Sequence, residues 1–252
     1  MTTCQIYQLG LVDYQTAWDL QNELAEKIAL GEHPPAFLLL EHPHTYTFGR
    51  RGQEENLLWE QAKLQDEEVE VHWVDRGGDV TYHGPGQLVG YPLLPLGEIT
   101  LDPDSGKPRL PQIDYMAYLR DLEKVLIKAL AQLGLPTGQV KGHTGVWVQP
   151  DVASRCKNCP PEFLQAPSKI ASIGVKVDAK GISRHGFALN VSPDMKFWEG
   201  IIACGLENQN QISLAQLMGE APDMELFMEK IIKAFEEVFD YELSLSNKIV
   251  AS

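Results

Sequence analysis

A mixed, largely antiparallel sheet packed with helices, the α+β class, is the fold this sequence predicts, and three observations predict it. Apolar runs of strand length come as neighbours: residues 169–177 and 182–191 are separated only by DAKG, with Gly181 placed to make a hairpin turn. Two longer segments, near 115–133 and 222–239, repeat apolar residues at helical spacing instead. Strands cluster in hairpins rather than alternating strictly with helices.

Taken in order, residues 4–12 have strand character. Asp13 is placed to cap a helix with Tyr14, Ala17, Leu20, Leu24 and Ile28 on one face and Gly31 at its end. Ala36–Leu40 is apolar throughout, as a strand buried on both faces would be. After a turn at Pro43, Thr45–Phe48 reads as a second strand. Arg50 and Arg51 follow between Gly49 and Gly52, and fit either an anion contact or a solvated turn. Residues 55–66 suggest a short helix, Glu70–Val74 and Leu88–Leu94 strands, and Pro95–Pro111 a surface loop rich in Gly, Pro and Asp. The next helix carries Tyr115, Tyr118, Leu119, Leu122, Val125, Leu126, Ala129, Leu130 and Leu133 on one face. Gly134 ends it and Pro136 blocks continuation. Gly145–Val148 is a short strand, Ile212–Met218 a small helix, and Tyr241–Leu245 a last strand after a helix whose first turn holds Pro222.

The bulk properties exclude several functions. A formal charge of −14 argues against general nucleic-acid binding, which needs a basic surface. No apolar run is long enough to span a bilayer, so no membrane role is expected. The opening MTTCQIYQLG lacks the sections of a signal peptide, and four cysteines are too few and too irregular for a disulfide framework. A cytoplasmic location is the expectation. The charge is uneven: residues 141–190 hold seven Lys or Arg against three acids. That region suits either an acidic partner or a solvated face.

The densest polar stretch is RGGDVTYHGPGQLVGY, residues 76–91. Five glycines and a proline surround Arg76, Thr81, Tyr82, His83 and Gln87. Glycines let another molecule approach the main chain, which suits a pocket wall; a glycine-rich hairpin between two strands accounts for the same composition.

Cys204, in IIACGLENQ, is the candidate nucleophile, followed by Gly205, whose amide can approach a developing oxyanion. A thiol is mostly protonated at neutral pH and needs a nearby cation or base. In KIASIGVKV, alternation puts Lys169 on one face with Ala171, Ile173, Val175 and Val177, all apolar, so the lysine is expected to point inward. An inward amine would activate Cys204 as a base or as a cation; a structural cysteine and a strand-end lysine are the bland alternatives. Ser172 and Gly174 fall in the opposite phase, which a regular strand cannot turn toward Lys169. His83, His143 and His185 are candidate bases or oxyanion donors without helical metal-ligand spacing. CKNC, residues 156–159, has the form of half a zinc site or a redox pair, yet sits in a Pro-rich insertion that needs no such role.

The glycine-rich stretch, KIASIGVKV with RHGFALNVS, and ACGLENQ in that order resemble the lipoyl(octanoyl) transferases. HPHTYTFGRR and GVWV are similar too, so the resemblance spans about residues 30–220, with 151–167 as an insertion. It implies a single domain over 1–252, built like the catalytic core of biotin and lipoate protein ligases. It makes Cys204 the acyl-thioester intermediate and Lys169 the residue that lowers its pKa. Arg76, Gly77, Gly78, Asp79, Val80, Thr81, Tyr82 and His83 would line the acyl pocket, together with Ser172, Ile173, Gly174, Gly186, Phe187 and Ala188. The implied donor is octanoyl-acyl carrier protein. The implied acceptors are lysines of lipoyl domains in 2-oxoacid dehydrogenases and of the glycine-cleavage H protein. No cofactor and no metal are implied. Thioester exchange conserves the activation of the acyl group, so ATP is not required. An ATP-dependent ligase of the same fold is the nearest rival, and a thioester hydrolase or a carrier-binding scaffold without catalysis are others.

Overall fold

The computed structural model describes residues 2–97, 100–101, 108–109, 114–154, 161–203 and 210–246. Strand β1 (Thr3–Leu11) leads into helix α1 (Tyr14–Ala29), whose N-cap Asp13 accepts a hydrogen bond from the Thr16 amide at 2.8 Å. β2 (Ala36–Glu41) and β3 (Thr45–Phe48) follow. The helix expected over 55–66 is broken in two, a 3-10 turn at Glu54–Asn56 and α2 (Gln61–Asp66). The cause is tertiary: Leu57 bridges Ile201, and the Leu58 amide donates to Gly200 O at 2.8 Å, holding the intervening chain extended.

β4 (Glu70–Trp73), β5 (Val80–His83) and β6 (Gln87–Leu93) come next. The loop beyond carries a two-residue ladder, β7 (Thr100–Leu101) with β8 (Pro108–Arg109). Asp114 caps α3 (Tyr115–Ala131), which is followed by β9 (Gly138–Val140), β10 (His143–Val148) and α4 (Pro150–Ala153). The expected hairpin is β11 (Ser168–Val177) with β12 (Ser183–Asn190). α5 (Leu214–Met218), α6 (Met224–Phe239) and β13 (Glu242–Ser246) complete the described chain. Pro222 stands just outside α6, whose N-cap is Asp223, so the last helix starts two residues later than expected.

Eight strands form the main sheet in the order β13-β1-β2-β6-β12-β11-β10-β9. Only β13–β1 and β1–β2 pair in parallel, and the rest are antiparallel, as the sequence predicted. β2 explains its own composition. Phe37 and Leu39 face a core with α3 and α6, represented by Leu122, Leu126, Ile231 and Phe235. Ala36, Leu38 and Leu40 face α1 on the other side, against Ala17, Leu24 and Ile28. The insertion is less detached than its composition suggests: Val152, Ala153 and Phe163 join the main core. Cys156, Cys159 and the CKNC motif lie outside the described residues.

β3, β4 and β5 form a second, three-stranded sheet. The glycine-rich stretch is therefore not a turn within one hairpin. It leaves β4, becomes β5 in the small sheet, turns at residues 84–86 and enters the main sheet as β6. Gly86 has φ +84, and a Cβ there would stand 2.5 Å from Ser192 O, so this crossover between sheets requires glycine. Among the described residues, no helix is long and apolar enough to cross a membrane.

Candidate active site

A cleft of about 730 Å³ opens where the two sheets meet. The glycine-rich stretch contributes Arg76, Gly77, Gly78, Asp79, Val80, Thr81 and His83 to its lining. β11 adds Lys169, Ser172, Ile173 and Gly174, and β12 adds Gly186, Phe187 and Ala188. The structure thus gathers nearly all the residues singled out from sequence. Among the predicted pocket residues, Tyr82 is the exception. Alternation along β5 turns it away from the cleft into a third apolar cluster with Tyr46 and Phe197, where its hydroxyl meets His44 Nδ1 at 2.9 Å.

Lys169 is 3% exposed, and its Nζ lies 4.8 Å from the centroid of the Trp147 ring. Its placement corrects the phase argument. Trp147 pairs with Lys169 while its neighbour Val146 pairs with Ala171, so β11 carries an extra residue at this point. Ile170 and Ala171 both enter the main core as a result. The bulge moves Lys169 out of phase with Ala171 and into phase with Ser172 and Gly174, which share the cleft with it. Gly145 sits across this bulge at φ +121, where a Cβ would lie 2.5 Å from Ala171 O and 3.3 Å from Lys169 Cε. The Gly145 amide donates to Oε1 of buried Glu123 at 3.0 Å, and the other Glu123 oxygen accepts from Arg120 and Gln139. One carboxylate from α3 therefore fixes the strand that backs Lys169.

Cys204 lies outside the described residues, but both flanks of segment 204–209 are anchored. On the near side the Ile202 amide donates to Asn56 O at 2.8 Å, and Asn56 lines the cleft. On the far side the Lys169 amide donates to Asn210 O at 2.8 Å, and Lys169 O accepts from the Ile212 amide at 2.9 Å.

A second wall is polar, buried and hydrogen-bonded. Arg76, 7% exposed, donates through Nη2 to Thr47 Oγ1 at 2.9 Å and through Nη1 to Gly77 O at 2.9 Å. Thr47 Oγ1 is 3.3 Å from His83 Nε2, and His83 Nδ1 is 2.9 Å from Gln87 Oε1. Since Gln87 Oε1 only accepts, the proton sits on Nδ1, and Nε2 takes the Thr47 hydroxyl proton. Gln87 in turn donates to Tyr82 O and Asn190 Oδ1. Burial, followed by the nearby His42 and Arg76, pushes the pKa of His83 well below the ordinary value. His83 is thus a neutral, fully engaged imidazole rather than a free base.

His42 shows the same logic. Its Nδ1 donates to Val12 O at 2.7 Å, its Nε2 accepts from the Tyr91 hydroxyl at 2.8 Å, and burial lowers its pKa to about 4. His185, in the left-handed region at φ 57, points Nε2–H at Asp75, 2.8 Å away. Burial lowers the pKa of His185 despite that partner. Asp75 also accepts from Arg184 and Lys176, and the hydrogen bond from His185 is the largest cause holding its carboxyl well below the usual range. Thr81 Oγ1, on the cleft wall and buried, finds no partner among the described residues.

Tyr14, Tyr91, Tyr115 and Leu119 line the cleft as well, and sequence reasoning missed them. Tyr14, Tyr115 and Leu119 have the spacing of apolar helix faces, and that signal hides their second role. The tyrosine hydroxyl among aliphatic residues was the available clue. In the basic region 141–190, Lys169 is buried, Lys176 and Arg184 pair with Asp75, Lys180 pairs with Glu26 at the surface, and Lys141 is exposed. Arg155 and Lys157 lie outside the described residues. Among the described residues, no group of three or more His, Cys, Asp or Glu is placed to hold a metal ion.

Residues 13–236 match the model of the lipoyl protein ligase A/B catalytic domain. An octanoyltransferase of Chloroflexus aggregans is 38% identical over 240 residues, covering 95% of this chain and 96% of the relative. One of Rubrobacter xylanophilus is 40% identical over 230 residues, covering 91% and 90%. Among solved structures, a bipartite lipoate protein ligase of Thermoplasma acidophilum superposes with a TM-score of 0.65 at 13% identity, covering 98% of this chain and 88% of that one. A lipoate-protein ligase A bound with ATP gives 0.62 at 12% identity, covering 98% and 90%. These likenesses establish the lipoate-ligase fold. With the family model and the relatives spanning nearly its whole length, the chain belongs to the lipoyl protein ligase A/B catalytic-domain family, among its octanoyltransferases, which are acyltransferases.

Proposed function

We propose that this octanoyltransferase moves the octanoyl group from octanoyl-acyl carrier protein to a lysine of a lipoyl domain through a thioester on Cys204. Acceptors of this kind are the lipoyl domains of 2-oxoacid dehydrogenases and the glycine-cleavage H protein. The observation that carries the reading is the setting of Lys169. It is a buried amine in the cleft, with its own backbone bonded to Asn210 and Ile212 just after the segment that holds Cys204. That the Thermoplasma acidophilum ligase was studied with its E2 lipoyl domain supports the acceptor class.

In the first half-reaction Lys169 takes the Cys204 thiol proton, and the thiolate attacks the donor's thioester carbonyl. The carbon–sulfur bond to the donor breaks, and its thiolate leaves with the proton that Lys169 held. In the second, the acceptor amine attacks the Cys204 thioester. The amide bond forms as the carbon–sulfur bond breaks, and Lys169 passes the amine proton back to the cysteine. The acyl group stays activated throughout, so no ATP is consumed. The glycines at 77, 78, 174 and 186 let an eight-carbon chain lie against backbone, beside Ile173, Phe187 and Ala188.

Intact mass spectrometry after mixing the protein with octanoyl-acyl carrier protein, without ATP, tests this. An octanoyl adduct is expected on the wild type, absent in Cys204→Ser, slowed about a hundredfold or more in Lys169→Ala, and discharged onto added apo lipoyl domain. An adduct that survives Cys204→Ser, or octanoylation that requires ATP, would overturn the covalent route.

A further inference from the structure

Two neighbouring exposed cations, one of them on the cleft lining, are not used by the chemistry above. Arg50 and Arg51 are both exposed, Arg51 lines the cleft, and neither forms an ion pair among the described residues. This differs from Lys176, Lys180 and Arg184, whose charges are satisfied by Asp75 and Glu26. The arginine turn is also rigidly mounted. The Arg50 amide donates to Arg76 O at 2.9 Å, the Arg51 amide to Gly78 O at 3.0 Å, and the Gly52 amide to Gly49 O at 2.8 Å. A Cβ on Gly49 would lie 2.5 Å from Gly78 O, so only glycine lets the turn seat this closely on the glycine-rich stretch. The nearest cleft carboxylate, Asp79, is engaged by Asn56 Nδ2 and the Val80 amide. Glu54 and Glu55 follow in sequence but make no ion pair with either arginine among the described residues. In a chain of net charge −14, an exposed arginine on the lining of a cleft that contains a buried lysine, with a second exposed arginine next to it in sequence, forms a local anion site.

We propose that Arg51, with Arg50 beside it, receives the phosphodiester that links the donor's thioester arm to its acyl carrier protein. The inference rests on the carrier-donor reading above and adds the residues that recognise the donor. A carrier's acyl group reaches the cleft on a phosphopantetheine arm. With the thioester at Lys169, the arm must leave through the mouth and bring its phosphate toward the rim. A planar guanidinium suits a phosphate that has to be gripped and released each cycle.

The test compares rates of Cys204 acylation by octanoyl-phosphopantetheine and octanoyl-pantetheine, which differ only by the phosphate, in wild type and in Arg51→Gln. Octanoyl-acyl carrier protein runs beside them, and the Arg50→Gln/Arg51→Gln double variant is measured as well, because one arginine can compensate for the other. In the wild type the phosphorylated donor should be faster by about three- to tenfold, the range for a partly exposed charge-assisted contact. The ratio should fall to about one in Arg51→Gln or in the double variant. A wild-type ratio of one, or a ratio that both variants leave unchanged, overturns the proposal. So does an unchanged ratio with slowed discharge onto the lipoyl domain, which would assign the arginines to the acceptor. Absence of a Cys204 adduct with every donor would instead refute the underlying covalent reading.

Discussion

Lowering the pH from 7.5 to 5.0 should destabilise this protein through histidines that stay neutral when folded. His42 shows the size of the effect: its pKa is about 4 in the folded chain, against the ordinary 6.5, because burial disfavours the imidazolium. The sign follows from proton counting. Above pH 6.5 both states hold a neutral ring, and His42 contributes nothing to the pH dependence. Below 6.5 the unfolded chain takes a proton that the folded chain refuses until about pH 4, so stability falls as the solution acidifies. At pH 5 that difference is roughly 2 kcal/mol from His42 alone. His83 is shifted in the same direction by its complete burial and adds to the effect. Carboxylates intrude little in this window, since unfolded Asp and Glu titrate lower, at about 4. Urea unfolding at pH 7.5, 6.0 and 5.0 reads the effect as a falling midpoint. His42→Asn, which cannot titrate, should lower stability at pH 7.5 and flatten the pH dependence by roughly 2 kcal/mol. A slope identical in wild type and variant would refute the claim that His42 is held neutral.

Two further substitutions probe the mounting of Lys169. Gly145→Ala forces an L residue to φ +121 and sets a methyl 2.5 Å from Ala171 O. It should cost about 2–4 kcal/mol, seen as a lower thermal midpoint, and slow formation of the acyl adduct; an unchanged midpoint would mean that the bulge is not under this constraint. Glu123→Ala leaves the Gly145 amide and Gln139 without their buried acceptor and should cost about 3 kcal/mol. Glu123→Gln keeps an acceptor oxygen and should recover part of that loss in the same assay; equal losses in both variants would show that the charge, not the hydrogen bonds, matters there.

How much was legible in advance differed by element, for reasons that can be named. Asp13 capping α1 and the doubly buried run Ala36–Leu40 depend on local rules, and the structure follows them. The break in the 55–66 helix depends on Gly200 and Ile201, more than a hundred residues away, and no local pattern carries that information. β5 escaped because four residues between glycines offer little periodicity, although Val80–His83 pairs fully with Thr45–Phe48. Lys169 is the instructive case. Its inward direction was inferred from alternation, and it is indeed buried, yet the bulge at Ile170 changes which neighbours share its face. Alternation supplies a direction only until the first extra residue, and bulges favour the functional positions where direction matters most.

The charge pattern of the cleft connects its parts. Burial keeps His42, His83 and His185 biased toward the neutral form, so the polar wall offers hydrogen bonds without adding competing cations. Arg76 and Arg51 both line the cleft. Under the covalent reading, both half-reactions need a proton removed from a sulfur or nitrogen nucleophile near pH 7. Nearby positive charge favours each: it stabilises a thiolate, and it disfavours the ammonium form of an arriving lysine. A carboxylate facing the reacting atoms would oppose both. Glu123 is buried behind Gly145 and Asp75 is saturated by His185, Arg184 and Lys176, so these two anions act as fasteners for the walls; Asp79, the carboxylate on the cleft lining, is turned to Asn56 Nδ2 and the Val80 amide.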